Sequence, residues 1–120
     1  MSGSNRKLQA CVGGAWIFSG RPDSTWQVKN SIVKRLIEIW GSLETFRGQG
    51  PSPPPLGYRG CFLRCLPDEE WVAYKGVVTR RKGDTSESRR DANRKFERLL
   101  LASAPKSALP PLLDLLAVDE

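Results

Sequence analysis

Two groups of residues in this 120-residue chain have types and spacings suited to chemistry. The first is a basic run. Between Val78 and Arg98 lie eight Lys and Arg residues against Asp84, Glu87, Asp91 and Glu97, so +4 of the formal net charge of +6 falls in this stretch. Guanidinium and ammonium groups brought onto one surface can track phosphates, which makes Arg80, Arg81, Lys82, Arg90, Arg94 and Arg98 candidate nucleic-acid contacts. Ordinary helix-surface pairing accounts for the same charges, since Glu87–Arg90, Asp91–Arg94 and Asp91–Lys95 fall at neighbouring helical spacings. The second group is Arg21, set between Gly20 and Pro22 and flanked by Trp16 and Trp26. Trp16, Arg21 and Trp26 could line a small aromatic pocket for an anion or a peptide. A turn whose tryptophans pack inward under the arginine is the alternative.

Other chemistry finds little footing. The chain has no histidine, so acid–base work would fall to carboxylates, Lys, Tyr or Cys. Asp68, Glu69 and Glu70 cluster, but in what reads as a hairpin turn. The glycines of GGAWIFSGRP have neither the spacing nor the lysine of a phosphate-binding loop. Cys61 and Cys65 sit four apart in one strand, about 13 Å by strand rise, which is beyond disulfide reach. Three cysteines, an odd count, suit a reducing compartment, and a metal site would need further ligands. No catalytic, metal or cofactor site is therefore assigned. No apolar run approaches the ~20 residues that span a bilayer, and MSGSNRKLQ lacks the apolar core of a secretory signal. The expectation is a cytoplasmic protein without a membrane partner.

These side chains need a scaffold. Residues 1–6 read as a flexible tail and 7–120 as one domain. From Lys7 the alternation of LQACVGGAWIFSG argues a strand, with Gly13-Gly14 marking a bulge or a close backbone approach. Ser24 and Gln27 fit a capping box, so a helix is expected from about Thr25 to Trp40 or Leu43. Its apolar stripe covers half the circumference, which calls for packing against a sheet and a second element together. Pro51, Pro53, Pro54 and Pro55 stiffen a connecting loop. Cys61–Leu66 and Trp71–Arg81 then read as a hairpin, followed by a second helix over about Ser86–Ala104 that Pro105 stops. The segment SALPPLLDLLAVDE suggests a short leucine-rich helix whose side chains must be covered.

Three segments, SGRPDSTW at 19–26, LGYRGCFL at 56–63 and RKFERLLLASAP at 94–105, resemble a family of small, mostly bacterial proteins. That family joins an SGRP-x-x-x-W turn, an LGYRG strand and a closing ER-x-LL-x-x-AP helix. The resemblance implies a compact domain and carries no activity.

The expected fold is α+β in the order β-α-β-β-α, with a three-stranded sheet and two main helices packed on one face. A helical crossover would set the first two strands parallel, although an all-antiparallel sheet also fits. Three functions remain open: an interaction module with a protein partner or a second copy of itself, a nucleic-acid binder using 78–98, or a small enzyme without a recognisable site.

Overall fold

The computed structural model describes residues 11–16, 24–48 and 59–105. The amino-terminal tail, the Arg21 turn, the proline loop at 49–58 and the leucine-rich segment after Pro105 lie outside them. The elements are strands β1 (Cys11–Ala15) and β2 (Ser24–Gln27), helix α1 (Asn30–Ser42), and strands β3 (Glu44–Thr45), β4 (Cys61–Cys65), β5 (Glu69–Tyr74), β6 (Val77–Lys82) and β7 (Thr85–Arg90). Helix α2 (Lys95–Ala102) follows. The strands form one seven-stranded sheet in the order β2-β1-β4-β5-β6-β7-β3. Every neighbouring pair is antiparallel.

This corrects the three-stranded expectation, and three local effects explain the difference. Residues 24–27 extend instead of opening the helix. Thr25 and Gln27 are exposed while Trp26 and Val28 are buried, the period of a strand. Backbone pairing with β1 outweighs the Ser24–Gln27 capping signal. The stretch 71–81 is two strands, because Lys75 (φ 48°) and Gly76 (φ 87°) make a two-residue hairpin turn with both φ positive. Lysine is an uncommon occupant of that conformation, which hides the turn from the sequence. The expected second helix is divided as well. TSESRR has no apolar stripe to bury as a helix, and it pairs along β6 through a turn with Gly83 (φ 58°) at its first central position.

One buried cluster holds the fold together. Cys11, Ala15, Trp26, Leu63, Trp71, Ala73 and Val78 share one face of the sheet by register, and they pack with Val33, Leu36 and Trp40 of α1 and Phe96, Leu100 and Leu101 of α2. α1 packs on α2, and its Trp40 meets Arg89 of β7, but the buried stripe is narrower than expected: Val33, Leu36 and Trp40 are buried and Ile37 is exposed.

Gly13 and Gly14 lie in an unslipped register against β4, so they form no bulge. Each sits beneath an aromatic ring. A Cβ on Gly13 would come within 2.8 Å of the Trp26 indole nitrogen, and one on Gly14 within 2.1 Å of the Phe62 ring.

Cys65 faces Cys11 across the β1–β4 ladder and the two form a disulfide, with Cα atoms 4.1 Å apart. They are a non-hydrogen-bonded pair, the closest kind of antiparallel neighbour. The expectation of reduced cysteines compared only the two on one strand. The pairing withdraws the cysteine argument for a reducing compartment. Cys61 is buried and outside the disulfide. No described helix is long and apolar enough to cross a membrane.

Candidate interaction surface

Strand alternation gives the sheet an outer face opposite the core. Following the register, it carries Thr25 and Gln27 of β2, Val12 and Gly14 of β1, Phe62 and Arg64 of β4, and Val72 and Tyr74 of β5. Val77, Thr79 and Arg81 of β6 and Ser88 and Arg90 of β7 continue it. Gly14 and Phe62 are buried, Val72, Tyr74, Val77, Thr79 and Ser88 are half-buried, and Arg64, Arg81 and Arg90 are exposed.

Two aromatic–cation stacks bracket this strip. At the β1–β4 end the Trp16 and Phe62 rings meet at 4.7 Å, and the Arg64 guanidinium lies 4.2 Å from the Phe62 centroid. Arg64 Nε also donates to Glu70 at 2.9 Å. At the other end the Arg90 guanidinium lies 4.7 Å from the Phe46 ring. Stacking of this kind is worth about 0.5–1 kcal/mol at exposed sites and holds a long side chain flat. Thr79 and Ser88 hydroxyls share a 2.8 Å hydrogen bond between the stacks. A cleft of about 530 Å³ opens on the same face beside the β4–β5 turn, lined by Val12, Gln27, Arg64, Leu66, Pro67 and Glu70 among others. Leu66 at its rim is 67% exposed.

The sequence-derived sites fare differently. Trp16 and Trp26 are not brought together: Trp16 stacks on the outer face, whereas Trp26 is in the core and its Nε1 donates to Ser103 Oγ at 2.9 Å. Arg21 lies outside the described residues. The six basic candidates divide among several surfaces. Arg81 and Arg90 share the outer face. Arg80 and Lys82 sit on the opposite side of β6, where Arg80 donates to Glu69 through Nε at 2.7 Å and lies over Trp71. Arg94, with φ 56° at the start of α2, is paired through Nε with the buried Glu97 at 3.1 Å. Arg98 is exposed on α2.

The expected Asp91–Arg94 and Asp91–Lys95 side-chain pairs give way to another contact. The buried Asp91 carboxylate accepts the backbone N–H groups of Lys95, Phe96 and Glu97 at 2.9, 3.0 and 3.4 Å, capping α2 from the strand side. Arg89 is held by Glu87 and by the Trp40 carbonyl at the end of α1, both at 2.8 Å.

Sequence reasoning missed the Trp16–Phe62–Arg64 and Phe46–Arg90 stacks. Phe62 and Arg64, two apart in a strand, do share a face, and that signal was readable. Phe46 meets Arg90 only because β3 pairs with β7. Among the described residues no three His, Cys, Asp or Glu side chains form a metal-binding group. Compared with known proteins, the chain matches no family model, no curated protein and no solved structure.

Proposed function

We propose that this chain is a small non-enzymatic protein-interaction module whose outer sheet face is its docking surface, with self-association as one mode. The observation that carries the reading is the strip itself. Half-buried Val72, Tyr74 and Val77 lie between the Trp16–Phe62–Arg64 and Phe46–Arg90 stacks. Tyr, Trp and Arg beside apolar side chains are the residue types that dominate binding energy at protein interfaces.

Sedimentation velocity over a concentration series tests the self-association mode. Average mass above one chain is expected by roughly 100 µM, where a contact as weak as ~10 µM would be well populated. A single monomeric species at that concentration removes this mode. A Val77→Glu variant places a charge in the middle of the strip and should weaken binding of any partner that uses the face.

A second reading has its own support, because Arg64, Arg81 and Arg90 share this face with the stacked aromatics. Such a surface could seat a single-stranded nucleic acid. Binding to random-sequence DNA and RNA across a salt series tests it. Three phosphate contacts would give a log–log slope of about −2 to −3. Affinity without salt dependence, or none at low salt, ends that reading.

A further inference from the structure

The two edges of the sheet are treated differently. At one edge, β3 covers the end of β7, where Glu44 and Thr45 pair with Arg90 and Arg89, and β7 itself carries Glu87, Arg89 and Arg90. Covering strands and charged side chains are the usual means of blocking edge-to-edge pairing. The other edge is β2, with the sequence STWQ. It has no charged residue and no proline.

Its backbone parity follows from the ladder. Val28 N–H donates to the Cys11 carbonyl at 3.3 Å, so residues 28, 26 and 24 direct their backbone groups at β1. Thr25 and Gln27 therefore direct theirs outward, each presenting one N–H and one C=O. Both residues are exposed, and no described strand pairs with them on that side.

We propose that the β2 edge is a self-pairing site that takes a second copy of this chain in antiparallel register. Thr25 of one copy would face Gln27 of the other, about a two-fold axis at Trp26. The pattern is self-complementary. Thr25 and Gln27 stand one residue either side of Trp26, so the same rotation makes both hydrogen-bonded pairs and satisfies all the outward groups. An uncharged edge lets the copies meet without like charges opposed, whereas the β7 edge would bring its charged side chains together. The axis stands perpendicular to the sheet, so the two outer faces would continue into each other on one side. This proposal rests on the self-association mode of the interaction-module reading and places that mode at the β2 edge, beside the outer face, in one register.

Two variants of the full chain, both at exposed side chains, test the register by sedimentation velocity. In T25K/Q27K each lysine faces a lysine across the axis, and the dissociation constant should rise by about tenfold or more. In T25K/Q27E each lysine faces a glutamate, and association should stay within about threefold of the native chain. Equal association of the native chain and T25K/Q27K overturns the β2 site while leaving an interaction surface elsewhere. Loss of association in both variants overturns the register. A native chain that is monomeric at roughly 100 µM removes self-association and this proposal together.

Discussion

Trp26 and Ser103 lie 77 positions apart, and the indole Nε1 of one donates to the hydroxyl of the other at 2.9 Å. Ser103 Oγ in turn donates to the Leu100 carbonyl at 2.6 Å. The edge strand β2 is thereby tied to the last turn of α2, over a glycine that leaves room for the indole. Ser103→Ala strands the indole N–H, and a loss of about 1–3 kcal/mol is expected. Urea unfolding should show a lower midpoint with an unchanged slope. A midpoint equal to the native one would mean the contact contributes nothing.

The Gly14–Phe62 contact has a more drastic expectation. A methyl group at residue 14 would overlap the ring, its carbon falling 2.1 Å from Phe62 Cζ. Gly14→Ala should destabilise by about 1–3 kcal/mol or prevent folding. Phe62→Leu removes the overlapping ring, so the double variant should cost less than the sum of the singles. Strict additivity in that cycle would show that the two positions do not touch.

Asp91 caps α2 through three backbone N–H groups while itself only 2% exposed. Asp91→Ala should cost about 2 kcal/mol, at the upper end of capping effects, because the stranded donors are buried. Asp91→Asn keeps one acceptor oxygen and should lose less. Circular dichroism with thermal unfolding would rank the three proteins, and Asn falling below Ala would contradict the geometry.

The cysteines offer a chemical check. Alkylation of the denatured, unreduced chain should label Cys61 and leave Cys11 and Cys65 unmodified by peptide mass mapping. Labelling of all three would show that the bond is absent. The crosslink spans a sequence separation of 54, so its reduction should lower stability by about 4 kcal/mol on the chain-entropy model.

Several elements of this fold are written locally and others are not. α1 was legible from Val33, Leu36 and Trp40, whose spacing alone makes a buried stripe, although it begins at Asn30 and not at Thr25. The strand at Cys61 and the close approach at Gly13-Gly14 were legible too. The side of β1 that enters the core was not. Cys11 and Ala15 face inward and Val12 faces out, because Trp26 and the disulfide fill the space that larger side chains on β1 would occupy. β7 could not be read from TSESRR, since nothing apolar declares a face and the strand exists through its partners β6 and β3. The outer surface suffered for the same reason. Its basic residues were counted along a helix, whereas a strand sends Arg89 and Arg90 to opposite sides.

Asp91 has one more effect, on how the β6–β7 ribbon keeps its alignment. A strand as polar as TSESRR could slide by two positions with each side chain still on its proper side, and burial alone would raise little objection. Such a slide displaces the strand's end by about 7 Å. It would draw the carboxylate away from the amides it serves and break the bond from Asp91 N–H to the Gly76 carbonyl. The cap and that backbone bond thus add a penalty for misaligned pairings that so polar a strand would itself tolerate.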